Sequence, residues 1–168
     1  IVVSGRHNIL SDNIVTQNGV NEIRMETSSN GNIVVNNTIS KGWHGIFLTR
    51  ASDNLIYQNK IMECRSCGLY FYLSNGSSIF FNQFDNNAGG NVCSRDSTNI
   101  WHSPVPLAYS FSGTPMPPSV IGNYFADHTL TDSDSNGITD AAYTLPGNEP
   151  ADNAALSNPT ADYGIQFS

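Results

Sequence analysis

Six residues near the C-terminus stand at the spacing of a calcium loop. Asp132, Asp134, Asn136 and Asp140 occupy positions 1, 3, 5 and 9, Gly137 takes position 6, and the Ile138 carbonyl would supply position 7. Hard oxygen donors at that spacing converge on one Ca²⁺, and the glycine permits the sharp turn they need. Position 12 is Tyr143, so the usual bidentate glutamate is missing and Asp127 or Asp152 would have to donate instead. A calcium ion here would fix the local chain. The competing reading is a solvated acidic turn held by Asx bonds.

A second set falls on one row. Glu26, Arg50, Tyr72 and Arg95 each follow an asparagine (Asn13, Asn37, Asn59, Asn82) by 13 residues. In register on adjacent strands they would stack about 4.8 Å apart. Such a column could grip an acidic sugar, with arginine forks on a carboxylate and the tyrosine on a ring face. The plainer reading is a surface ion pair between Glu26 and Arg50. Val35, Tyr57 and Phe80 make a third row, and with Trp43, Phe47 and Tyr70 they predict an aromatic surface for sugars or partner proteins, unless loops cover it.

Cys64 and Cys67 form a CxxC, and Cys93 lies about one repeat later. A single CxxC is a weak metal pattern even with His44 one coil away, and a buried thiol or a local disulfide accounts for the set more simply. Carboxylates in the first hundred residues recur at no common offset, His7, His44, His102 and His128 share no row, and there is no GxSxG. Catalysis therefore finds little support in these residues.

The elements that must hold these side chains are written in a repeat. Asn13, Asn37, Asn59 and Asn82 are 24, 22 and 23 residues apart. Leu10, Val34, Ile56 and Ile79 precede them by three positions, and Val15, Ile39, Ile61 and Phe84 follow by two. A period in this range marks a solenoid whose units bury their apolar faces on one another. Period-2 alternation around each asparagine and the absence of sustained helical periodicity predict an all-β, right-handed parallel β-helix of about four to six coils. The asparagines then form a ladder that satisfies buried turn groups. Glycines near Gly45, Gly68 and Gly89–Gly90 are expected to supply positive φ at corners.

After Asn99 the period breaks. Residues 103–118 hold five of the eight prolines, which predicts a loop or an edge. The expected organisation is one continuous domain: coils with the ladder over 1–98, then final coil or coils, the Pro-rich loop and an acidic irregular cap over 99–168. The opening Ile1-Val2-Val3 reads as mid-strand, as in a fragment of a longer solenoid.

Charged residues make up only 12% of the chain, and the net charge is −7. That argues against a nucleic-acid partner. No apolar run approaches the roughly 20 residues of a membrane span. Asn36-Asn37-Thr38 and Asn75-Gly76-Ser77 are glycosylation sequons, relevant only if the chain is secreted.

The stretch Ser52-Asp53-Asn54-Leu55-Ile56-Tyr57-Gln58-Asn59-Lys60-Ile61, with Cys67-Gly68-Leu69-Tyr70-Phe71 beyond it, resembles the repeats of NosD-like β-helix proteins, within the wider carbohydrate-binding and sugar-hydrolase group. Asn99 to Pro104, Ile121 to Asp127 and Asp132 to Asp140 resemble the C-terminal unit of archaeal cell-surface members, with Phe125 and Asn136 departing from the usual residues. The resemblance implies a β-helix on an exported or surface protein and does not imply one activity. The reading it supports is a non-catalytic extracellular module whose partner is a polysaccharide or a surface glycoprotein. The alternatives are a self-assembling building block of a sheath or filament, and a polysaccharide lyase, hydrolase or epimerase. The copper role of the NosD type finds little support in the scattered histidines, cysteines and methionines.

Overall fold

The structure, a computed structural model, describes residues 1–167. Each coil lays down three short strands. The first carries β1 (Val2–Val3), β2 (Ile9–Ser11) and β3 (Ile14–Thr16). The second carries β4 (Asn21–Met25), β5 (Ile33–Val35) and β6 (Thr38–Ser40), and the third β7 (His44–Thr49), β8 (Leu55–Tyr57) and β9 (Lys60–Met62). The fourth carries β10 (Leu69–Tyr72), β11 (Ser78–Phe80) and β12 (Gln83–Asp85). The fifth starts with β13 (Val92–Arg95) and continues through Ile100, which bridges Ser78. A hairpin of β14 (Leu107–Phe111) and β15 (Thr114–Ser119) then interrupts it, and β16 (Tyr124–Phe125) completes it.

Stacking the coils gives three parallel sheets. Sheet A is β1-β4-β7-β10-β13, sheet B is β2-β5-β8-β11, and sheet C is β3-β6-β9-β12-β16. The fold is therefore an all-β parallel β-helix. Period-2 alternation sends Ile23, Met25, Ile46, Leu48, Leu69 and Phe71 of sheet A inward, to meet Val34, Ile56 and Ile79 of sheet B and Ile39, Ile61 and Phe84 of sheet C. The sheet C column ends in aromatic stacking: Phe84 on Phe125 (5.3 Å between centroids), then Phe125 on Tyr143 (3.8 Å).

Left-handed corners let the coil turn so tightly. Asp12, Asn36, Gln58 and Phe81 sit at φ of 51–59° immediately before the ladder asparagines, and Gln17, Lys41, Glu63 and Asn86 repeat this geometry after sheet C. These corners are mostly polar residues, not the expected glycines. Gly45 and Gly68 lie outside the left-handed region and serve close approach instead: a Cβ on Gly45 would stand 2.5 Å from the Gly68 carbonyl oxygen. Gly90 does take a positive φ, 108°.

The ladder forms and runs further than the repeat. The Oδ1 of Asn37 accepts from the N–H and Nδ2 of Asn13; Asn59 does the same for Asn37, Asn82 for Asn59, and Asn123 for Asn82. Asp152 ends the ladder, accepting from the N–H and Nδ2 of Asn123. A parallel ladder runs Asn8, Asn32, Asn54, Ser77, Asn99 and ends on Glu149, which also accepts from the Trp101 indole N–H. Two carboxylates from the C-terminal segment thus close both rows of donors at the end of the solenoid.

β17 (Tyr163–Ile165) follows a short 3₁₀ turn and pairs antiparallel with β14, so β15-β14-β17 forms a small fourth sheet. Pro115, Pro117 and Pro118 all lie on β15, an edge strand, the place in a sheet where proline is tolerated. This sheet packs over the outside of sheet B, and Tyr109, Ile121, Leu156 and Tyr163 cluster there with Phe80 and Phe81.

Candidate functional site

With the β8 and β11 part of sheet B covered, sheet A presents the outward surface richest in aromatic rings. Between its buried residues, Arg24, Phe47, Tyr70 and Cys93 share one register row and point outward. Phe47 and Tyr70 stack with centroids 5.1 Å apart and planes 18° from parallel. The His44 ring packs on both, at 5.8 Å and 5.0 Å, and Trp43 stands edge-on to His44 at 6.5 Å with half its surface in solvent. The result is an aromatic platform about two coils long.

Local bonding fixes this platform. The Cys67 N–H donates to His44 Nδ1 at 3.2 Å. Partial burial holds the His44 pKa below its ordinary value, which keeps Nδ1 available as an acceptor at neutral pH. Cys67 is in turn joined to Cys93 by a disulfide, which ties the turn before β10 to β13 at the end of the aromatic row. Cys64 remains a buried free thiol, pushed up to about 12 by burial and then by the Glu22 charge, so it is inert as a nucleophile. Of the readings open for the cysteines, the structure holds one disulfide and one buried thiol.

The second outward row differs from the expected one. Register places Thr49, Tyr72 and Arg95 side by side, and Glu26, just past Met25, lies level with Thr49. Arg50 stands one residue beyond, at a left-handed corner with φ 50°. Counting 13 from Asn37 overshoots because the turn after Ser40 is one residue shorter than the turn after its register partner Met62. The expected Glu26–Arg50 pair does not form; Glu26 meets Arg24 at 3.4 Å instead. Yet Arg50 returns over the Tyr72 ring, its guanidinium carbon 5.8 Å from the centroid, while Arg95 approaches the same ring at 5.5 Å. Tyr72 therefore lies between two guanidinium groups.

Tyr57 and Phe80 do not join this surface. They stack on each other at 5.2 Å, but Phe80 is 4% exposed beneath the fourth sheet and Phe167 packs on Tyr57. Both belong to the second apolar cluster, Phe80 buried and Tyr57 partly buried against it.

The acidic loop takes the Asx-bonded form. Asp132 accepts from the N–H groups of Asn136 and Gly137 and from Ser157 Oγ; Asp134 accepts from the Asn136 N–H and Nδ2; Asn136 Oδ1 accepts from the Ile138 N–H. Asp140 turns instead to Ser133 and Thr131, bonds that hold its carboxyl below the usual range. Asp127 and Asp152, the substitute donors, are engaged by Asn91 and Tyr143 and by Asn123. Among the described residues, no three of His, Cys, Asp or Glu gather as a metal ion would require.

Residues 1–130 match the family described as Periplasmic copper-binding protein (NosD). The chain belongs to the NosD family. No curated protein matches it. Among solved structures it is similar to the enzymatically active domain of Bacteriophage CBA120 tailspike protein 2, with a TM-score of 0.53 and 11% identity over 58% of this chain. The match spans 17% of the tailspike chain, and at that identity it shows a shared fold.

Several groups of this NosD-family chain that could hold the copper of the family's description are engaged elsewhere. Two of the three cysteines are joined to each other, the third is buried, and Met25 is fully buried in the core. His44 points its Nδ1 at a backbone N–H. The family is described as periplasmic, a setting in which a disulfide persists. No helix among the described residues is long and apolar enough to cross a membrane.

Proposed function

We propose that this chain is a non-catalytic extracellular or cell-surface module that binds a glycan, free or on a neighbouring surface protein, along the outer face of sheet A. The observation that carries the reading is the platform of Trp43, His44, Phe47 and Tyr70, an outward aromatic surface on a rigid scaffold. Sugar rings present C–H faces that stack on such rings, and an exposed aromatic surface held this rigidly loses little entropy on binding. The resemblance of the tail to archaeal cell-surface proteins supports a position outside the cell.

Calcium would act at the 132–140 loop, where binding would require Asp140 to leave Ser133 and Thr131 and turn toward Asp132 and Asp134. A glycan array with the purified protein, with calcium and with a chelator, tests the whole reading. Specific binding that Tyr70→Ala abolishes is the expected result. Binding that survives Tyr70→Ala, or no binding in either buffer, would overturn it. Depletion of a bound sugar would move the protein to the glycan-cleaving class.

A further inference from the structure

The aromatic platform does not stand alone: the neighbouring row is cationic. We infer that the ligand of this face is a polyanionic glycan whose carboxylate or sulfate groups are taken by Arg50 and Arg95 on either side of Tyr72, while its ring faces lie on Phe47 and Tyr70. This inference rests on the glycan-binding reading above and narrows it to one charge class.

Three observations support it. First, both guanidinium groups lie against one ring, at 5.8 Å and 5.5 Å. A guanidinium stacked on a tyrosine keeps its in-plane N–H donors free for the bidentate geometry that carboxylate and sulfate oxygens offer. The stacking also restrains two long side chains before any ligand arrives, which lowers the entropy lost on binding.

Second, the charge is out of keeping with the chain. The protein has 7 basic against 14 acidic residues and a net charge of −7, yet Arg50 and Arg95 meet at one ring of this face, Tyr72. The carboxylates beside them are accounted for. Glu26 pairs with Arg24 at 3.4 Å, and Asp96 lies 3.7 Å from Arg95 with both side chains more than 60% exposed. An exposed pair of that kind is held weakly and exchanges readily for a ligand anion. Arg50 has no carboxylate within 4.0 Å among the described residues.

Third, the two subsites are contiguous. Tyr70 and Tyr72 lie two residues apart on β10, both outward, so the aromatic and cationic rows run side by side across the same strands. A chain lying across the face meets ring surface and paired charge together, which suits a polymer with an anionic group on its sugars. Nucleic acid is also polyanionic, but its denser phosphate charge is opposed more strongly by a chain of net charge −7.

The test compares matched probes that differ only in charge. Binding of the whole chain to polygalacturonate and to its methyl ester, and to dextran sulfate and dextran, is measured at low and high salt. The acid form is expected to bind at least about tenfold more tightly than its ester, a gap of about 1.4 kcal/mol, with the preference shrinking at high salt. Preference in the first pair assigns carboxylate, and preference in the second assigns sulfate ester. Arg50→Gln with Arg95→Gln should erase the preference for the anionic partner, whereas Tyr70→Ala should weaken binding of both partners. Equal binding of acid and ester, and of dextran sulfate and dextran, would overturn the inference and leave the glycan module standing. Binding to single-stranded DNA as tight as to the anionic glycans would overturn it in favour of general polyanion attraction. Binding to none of the probes would overturn both readings.

Discussion

Replacing Asn59 with leucine tests the interior order of this solenoid, and the cost can be worked from its bonds. The Asn59 side chain accepts from the N–H and Nδ2 of Asn37 and donates to the carbonyls of Val34 and Tyr57 and to Asn82 Oδ1. Leucine is close in size and removes all of these. Most partners keep another bond: Asn37 Nδ2 still reaches Leu10 and Val35, the Tyr57 carbonyl still accepts from the Asn36 N–H, and Asn82 Oδ1 still accepts from the Asn59 N–H. The Asn37 N–H alone is left buried without an acceptor. An orphaned buried donor costs roughly 1–3 kcal/mol, and the lost bonds add about 1 kcal/mol, so the expected loss is about 2–4 kcal/mol. For a chain of this size that is a fall of roughly 5–15 °C in melting temperature. Asn13→Leu is the control, because Asn13 heads the ladder and removing its side chain leaves no backbone donor orphaned; its shift should stay below about 1 kcal/mol. Thermal unfolding followed by circular dichroism reads both. Equal melting of Asn59→Leu and the parent, or equal losses for the two variants, would refute the reasoning.

The closing carboxylates give two further tests. Glu149→Ala leaves the Asn99 and Trp101 N–H donors without acceptors and should destabilise by about 3–5 kcal/mol, read by urea unfolding; a loss below 1 kcal/mol would contradict its role. Burial pushes the Asp152 carboxyl up to about 7, against an ordinary value of 3.8. Between those values the folded state holds the extra proton, so this group makes stability fall as pH rises through the window, by up to roughly 4 kcal/mol in all, with no further change above it. The parent-minus-Asp152→Asn difference across pH 4–8 isolates that slope, and a flat difference would count against it. Reducing the Cys67–Cys93 disulfide, which spans a separation of 26 residues, should lower stability by about 3 kcal/mol; an unchanged urea midpoint in reductant would show that pairing of β10 with β13 alone holds those coils.

Much of the coil was legible because each buried position repeats at one spacing. Leu10, Val34, Ile56 and Ile79, and the asparagines from Asn13 to Asn82, can each be found from the next. The second ladder has the same spacing, Asn8 to Asn32 to Asn54 by 24 and 22 residues, and was missed because Ser77 breaks the run of asparagines. Its shorter side chain also leaves Asn54 Nδ2 without a partner. The closing residues could not be read this way. Glu149 reaches Asn99 across 50 residues and Asn123 reaches Asn82 across 41, because the inserted hairpin shifts the period. That hairpin also buries Phe80, whose outward position on β11 was readable while its cover was not. At the candidate site, offset counting brought Tyr72 and Arg95 together correctly. It misplaced Arg50 by one residue, since a single deletion in a turn is invisible to a count that starts before it. The acidic loop shows the limit of spacing alone: the same Asp and Asn positions that suit calcium also suit bonds to their own backbone.

The most direct test of the central claim is glycan-array binding of the parent beside Trp43→Ala and Tyr70→Ala variants of unchanged melting temperature. Both substitutions remove outward rings without touching the core. Specific binding by the parent, lost by at least about tenfold (about 1.4 kcal/mol) in each variant, is the predicted result. Undiminished binding by both variants, or no binding by the parent, would contradict the assignment of this face as the ligand surface.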